Sequence, residues 1–142
     1  MKEKTLLLLR GLPGSGKSSF AKFLNSTGDF LIYSLDEFFT NASGVYTFDY
    51  KQNHLAYKNC QSKTEKAMQE DYPKILVDQT FALEWEIEPY LKLAAKYNYR
   101  VFVTTMENRH YGENIHGTTD EQLLKMAKNF HIELLPQRLR EN

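Results

Sequence analysis

Gly11-Leu-Pro-Gly-Ser-Gly16-Lys17-Ser18 fills every position of the pattern G-x-x-x-x-G-K-[ST]. Glycines at these positions let the backbone curl until successive N–H groups converge on phosphate oxygens. A helix starting after the loop adds the positive end of its dipole. Lys17 then supplies a point charge for the β- and γ-phosphates, and the Ser18 hydroxyl is a hard oxygen donor suited to Mg2+. The cradle, made of Gly11, Pro13, Gly14, Ser15, Gly16, Lys17, Ser18 and Ser19, predicts a nucleoside triphosphate ligand. It leaves the reaction open.

Two carboxylates narrow the reaction. In open α/β sheets ligands bind outside the carboxyl ends of the strands, so an Asp at a strand end faces the same crevice as Lys17. Asp78 follows the apolar run Lys74-Ile-Leu-Val77. This is the strand-plus-Asp pattern that positions magnesium, commonly through a water; the plainer alternative is a turn residue. Asp36 closes another strand and suits the acceptor, because a kinase needs a carboxylate to orient an attacking hydroxyl and take its proton. Its plainer alternative is the cap of a short helix in Asp36-Glu37-Phe38-Phe39. Glu37 is expected to point away from whatever Asp36 faces.

Phosphoryl transfer spreads charge over equatorial oxygens, which an arginine can stabilise. Among the arginines only Arg109 falls in the lid-like segment Glu107–Gly117, which makes it the expected charge-stabilising, catalytic arginine; the alternative is a solvated loop charge. His110 and His116 share that segment as assisting groups or bystanders. Tyr46 and Phe48 offer a surface on which an acceptor base stacks, or else close a loop over the core. Trp85 reads as a packing anchor and Cys60 as core. No His/Cys spacing suggests zinc.

These residues need a scaffold that brings strand ends together, and the chain alternates strand and helix as a parallel α/β sheet with helices on both faces requires. Strands are expected at Lys4–Arg10, Asp29–Leu35, Lys74–Asp78 and Tyr99–Thr105. Helices are expected at Lys17–Asn25, from Tyr50 to about Glu70, at Glu88–Tyr97 with Pro89 in the first turn, and at Asp120–Phe130 capped by Thr118 or Thr119. Met106–Thr118 is a polar loop long enough to be a lid. His131–Leu135 has strand character until Pro136.

The 142 residues fit one domain spanning 1–142. Eighteen basic and 18 acidic residues cancel, which argues against a protein coating long stretches of nucleic acid while allowing a grip on one strand end. A single cysteine excludes an internal disulfide and points to a reducing compartment. The apolar run Leu6–Leu9 is too short for a signal sequence, and no run approaches membrane-spanning length, so the expected location is cytoplasmic.

Taken together, the motifs resemble the polynucleotide 5′-hydroxyl kinase group of P-loop proteins. They are most similar to the small kinase-like domain found in a eukaryotic ubiquitin-ligase-binding protein and its stand-alone bacterial and phage relatives. Arg10–Ser18, Ser34-Leu-Asp-Glu-Phe-Phe39, Gly44-Val-Tyr-Thr-Phe48, Val77-Asp-Gln-Thr80, Trp85-Glu-Ile-Glu-Pro-Tyr90 and Asn114-Ile-His-Gly117 carry the likeness, in order, from about Thr5 to Phe130. The resemblance implies an ATP- and Mg2+-dependent kinase with Lys17 and Ser18 at the phosphates and metal, Asp36 as general base and Asp78 on the metal side. It also implies the P-loop NTPase fold, with a four-stranded sheet in order 2-3-1-4 and a lid. Two departures stand out: Phe39 occupies the place of the phage-type acceptor arginine, and the short lid offers only Arg109.

Three readings follow. One is a kinase whose acceptor is a DNA or RNA 5′ end. A small-molecule kinase for a nucleoside, sugar or antibiotic is the second, and an ATP-binding switch with little catalysis is the third. Asp36 separates the enzymes from the switch, and no obligate protein partner is evident.

Overall fold

The computed structural model describes residues 3–113 and 117–140. Four strands, β1 (Thr5–Arg10), β2 (Leu31–Ser34), β3 (Lys74–Gln79) and β4 (Arg100–Thr105), form one sheet in the order β2-β3-β1-β4. All neighbours pair in parallel. The helices are α1 (Lys17–Leu24), α2 (Asn53–Gln69), α3 (Glu84–Tyr97) and α4 (Asp120–Asn129), with 3-10 turns at Leu35–Phe39, Tyr50–Gln52 and Gln137–Leu139. The P-loop fold and strand order expected from the resemblance are therefore present.

Both faces of the central strands are covered, as their continuous apolar runs require. Leu6 and Leu8 of β1, with Ile75 and Val77 of β3, pack against Cys60 and Met68 of α2 and Ile87 and Tyr90 of α3. Leu9 and Leu76 turn to the opposite face and meet Ala21 of α1. These leucines are fully buried, so trimming one to alanine should cost about 2–5 kcal/mol. Cys60 lies in this core, and burial pushes its thiol up to about 11.

Several boundaries differ from the sequence expectation, each for a local reason. The helix of Pro89 starts at Glu84, because the Glu86 carboxylate reaches back to the Leu83 N–H at 3.0 Å and acidic residues suit a first turn. Pro89 thus lies inside the helix, where the ring removes an N–H from the ladder. The chain before α2 winds first as 3-10, and the Asp49 side chain accepts from the Lys51 N–H at 3.1 Å. Thr119 caps α4 by a reciprocal pair: its Oγ1 accepts from the Gln122 N–H at 3.2 Å, and its own N–H donates to Gln122 Oε1 at 3.0 Å.

Residues 131–135 form no strand. Instead the buried Arg10 holds the tail, donating from Nη1 to the His131 carbonyl at 2.7 Å and lying 4.5 Å from the Phe130 ring centroid. Trp85 is more than half exposed and leans edge-on against Tyr57, short of the packing anchor expected. Among the described residues no helix is long and apolar enough to cross a membrane.

Candidate active site

β1 ends at Arg10, and the chain loops through residues 11–16 before entering α1 at Lys17. Gly14 and Gly16 have φ of +83° and +91°, a region where a side chain would be strained. Lys17 folds along the loop, donating from Nζ to the Gly11 carbonyl at 3.0 Å and the Leu12 carbonyl at 3.2 Å. Burial lowers the Lys17 pKa, and the charges of Asp78 and Asp36 oppose that shift.

Register places Asp78 beside Leu9 of β1 and Ser34 of β2, at the carboxyl edge of the sheet. The Ser18 hydroxyl donates to Asp78 Oδ2 at 3.3 Å. Asp78 is buried, and that burial raises its pKa despite Lys17 and the Ser18 hydrogen bond, which pull the other way. Asp36 reaches the same cleft from the 3-10 turn after β2. Ser34 holds that turn's cap position, while Glu37 accepts from the Ser34 N–H at 3.1 Å and pairs with Lys63 at 3.3 Å. The capping alternative for Asp36 is thereby taken by its neighbours.

The cleft encloses about 770 Å³ over the strand ends. Of the cradle residues, Pro13, Gly14, Gly16, Lys17, Ser18 and Ser19 line it, as do Asp36 and Asp78. Gly11 and Ser15 lie behind the loop: a Cβ on Gly11 would stand 2.5 Å from Ser15 Oγ, and Ser15 is 1% exposed. A shallower depression of about 370 Å³ between α2 and α3 has none of this chemistry.

Arg109 is not brought to the cleft. Its side chain is 86% exposed and pairs with Glu107 two residues away, which satisfies the guanidinium locally. Among the described lid residues, His110 and Gly112 meet the P-loop. A Cβ on Gly16 would stand 2.9 Å from His110 Nε2, and one on Gly112 would stand 2.6 Å from the Gly14 carbonyl. An Asn108 side-chain clamp shapes this approach, bonding both the N–H and the carbonyl of Gly112 at 2.9 Å. His116 lies outside the described residues, as do Asn114 and Ile115.

Three further groups line the cleft that the sequence reading did not place there. Gln79 follows Asp78 and also lines the cleft. Asn53 and Tyr57 project from the first turns of α2 at i, i+4 spacing; Tyr57 donates to Glu86 Oε1 at 2.9 Å. Tyr50 and Tyr57 recur with Cys60, Thr64 and Ala67 at helical spacing, which marks a helix without saying what its first turn faces. Tyr50 is 80% exposed and lines the cleft.

A parallel 2-3-1-4 sheet with a glycine loop between its central strand and first helix defines a P-loop kinase-like domain. The profile of the family described as "AAA domain" matches residues 6–131, and the chain belongs to that family. NEDD4-binding protein 2 of Homo sapiens is 33% identical over 135 residues, which are 88% of this chain and 8% of that protein. The chain thus spans less than a tenth of that curated relative.

Among solved structures, the Pnkp1/Rnl/Hen1 RNA repair complex matches 99% of the chain and 50% of its own, with TM-score 0.66 and 18% identity. An APS kinase of Mycobacterium tuberculosis, solved with AMPPNP and APS, matches 75% of the chain and 64% of its own, with TM-score 0.55 and 15% identity. A gluconokinase from Sinorhizobium meliloti matches 93% and 78%, with TM-score 0.56 and 11% identity. Identities this low show a shared fold.

Proposed function

We propose that the chain, as one domain over residues 1–142, is an ATP- and magnesium-dependent kinase whose acceptor is a nucleic-acid 5′-hydroxyl. The observation that carries this reading is the convergence of Lys17, the Ser18–Asp78 pair and Asp36 on one cleft at the strand ends. A nucleotide-binding switch has no use for a second carboxylate on the acceptor side.

Ser18 Oγ and Asp78 Oδ2 are hard oxygen donors that fit magnesium. Among the described residues no cluster of three His, Cys, Asp or Glu could hold a metal, which suits an ion taking most of its ligands from phosphates and water. When bound, magnesium neutralises charge on the β- and γ-phosphates.

The chain's own groups do the rest. Backbone N–H groups of the loop and Lys17 hold the phosphates, and Asp36 accepts a hydrogen bond from the acceptor hydroxyl. The hydroxyl oxygen bonds to the γ-phosphorus as the bond to the β-phosphate oxygen breaks. ADP leaves with that electron pair, and the hydroxyl proton passes to Asp36.

The test is transfer of labelled γ-phosphate to an oligonucleotide with a free 5′-hydroxyl, its 5′-phosphorylated counterpart, and a panel of sugars. Labelling of the first alone supports the proposal. Labelling of a sugar alone would replace the acceptor with a small molecule, a reading that zero net charge favours. Nucleotide binding without transfer to anything would leave the switch.

A further inference from the structure

We propose that the acceptor is recognised through its terminal nucleoside, by stacking and a neutral amide, with no grip on the phosphates that follow it. This rests on the kinase reading above. Beyond Asp36 the cleft is walled by Phe39, Tyr46, Phe48 and Tyr57. The first three are set by a hairpin: Thr40 pairs antiparallel with Tyr46, and the Thr47 N–H donates to the Phe39 carbonyl at 2.8 Å. Phe39 stands 5.0 Å from Phe48 and 6.4 Å from Tyr46, centroid to centroid. Phe39 is buried as the base of the group, while Phe48 remains 49% exposed and presents ring area to a planar ligand.

Charge argues in the same direction. Among the described lining residues the only Lys or Arg is Lys17, which belongs to the nucleotide phosphates, whereas Asp36, Asp78 and Glu113 are acidic. Lys63, behind the Asp36 turn, is paired to Glu37 and does not line the cleft. Among the described lining residues an acceptor phosphate would meet net negative charge and no Lys or Arg beyond Lys17. Gln79 supplies a different kind of contact. It is 97% buried, and neither amide atom has a protein hydrogen-bond partner. Burying such a group unpaired is costly, and its adjacent donor and acceptor match adenine N6 and N7 in a bidentate pair.

The experiment compares three acceptors at saturating ATP and magnesium: deoxyadenosine, an oligodeoxynucleotide beginning with deoxyadenosine, and the same oligonucleotide with an abasic 5′ residue. All three carry the 5′-hydroxyl. The oligonucleotide should be at least as good as the nucleoside and better by no more than about threefold in kcat/KM, with little salt dependence, since few phosphates are engaged. A nucleoside preferred over the oligonucleotide would make the chain a nucleoside kinase. The abasic acceptor should fall by about tenfold or more, the value of a lost base stack. Phe48→Ala should raise the KM for deoxyadenosine about tenfold without moving that for ATP, and Phe48→Tyr should restore it.

An abasic acceptor as good as the intact one, or a nucleoside about a hundredfold worse than the oligonucleotide, would overturn the proposal by assigning recognition to phosphates. Transfer would still occur in that case, so the kinase reading would survive. Transfer to none of the three would sink both.

Discussion

The Ser18 hydroxyl donates to Asp78 Oδ2 across 3.3 Å, tying the first turn of α1 to the end of β3. The bond brings a buried carboxylate beside the phosphate loop, where burial already disfavours its charge. Function and stability should therefore oppose each other at Asp78. Asp78→Asn should abolish magnesium-dependent transfer yet raise the Tm of the ligand-free protein. The raised pKa already includes the attraction of Lys17, so the neutral side chain is the better tolerated form.

The sign with pH follows from the same shift. Below the ordinary aspartate value of 3.8 the carboxyl is protonated whether folded or unfolded, and the native protein bears no cost. As pH rises through the folded pKa, which lies above 3.8, the unfolded state has already released its proton and the folded state is penalised. The Tm advantage of Asp78→Asn should thus be small at pH 3 and widen to a plateau above the folded pKa. Calorimetry from pH 3 to 7 on both proteins checks this, and an advantage that narrows with rising pH would contradict it.

Among the described residues Lys17 donates only to carbonyls of its own loop, so phosphate oxygens can take over its hydrogen bonds without breaking other structure. ATP with magnesium should raise the wild-type Tm, by about 2.7 kcal/mol of linkage at a hundred times Kd. Lys17→Ala should lose most of that shift while folding normally. A full shift in the variant would move the nucleotide away from this loop.

Asp36→Asn keeps the shape of the turn but cannot accept a proton. Transfer should fall by about 10²–10⁴-fold with ATP affinity little changed, read from kcat and from nucleotide titration separately. Because the Thr40 hydroxyl bonds the Asp36 main-chain carbonyl, the turn itself should survive the change. Normal turnover would leave Asp36 without a chemical role.

What could be read from the sequence divides by the range of the interaction. The P-loop and the placing of Asp78 at the sheet's carboxyl edge were legible because each rests on local rules, a glycine pattern and an apolar run. Asp36 stands beyond its strand, in the 3-10 turn after β2, because β2 ends at Ser34. The start of α3 was not legible, because Glu86 reaching back to Leu83 competes with the proline signal, and only geometry shows which prevails. The cleft face of Tyr50 was not legible because helical spacing marks a helix but not which side of its first turn meets a cleft. The direction of Arg109 was not legible either, because within an irregular loop it is decided by a partner, here Glu107, and the side chain does not line the cleft.

The lid gives the most discriminating prediction, because adjacent positions in it should behave differently. Arg109 is exposed and its partner is local, so Arg109→Ala should leave kcat within about threefold, as surface substitutions usually do. Gly112 presses on the P-loop: an added Cβ would come within 2.6 Å of the Gly14 carbonyl and 2.7 Å of His110 Nε2. Because that carbonyl belongs to the loop backbone, relief has to come from the lid moving outward. Gly112→Ala should therefore raise the KM for ATP about tenfold, the equivalent of about 1.4 kcal/mol, within the usual cost of overpacking. Folding should be unaffected, since the clamp from Asn108 uses only main-chain groups of residue 112. Steady-state kinetics on the two variants side by side decides the matter. A large loss of kcat in Arg109→Ala with no effect of Gly112→Ala would mean that the lid turns over during turnover and that the arginine, not the His110–Gly112 segment, meets the phosphates.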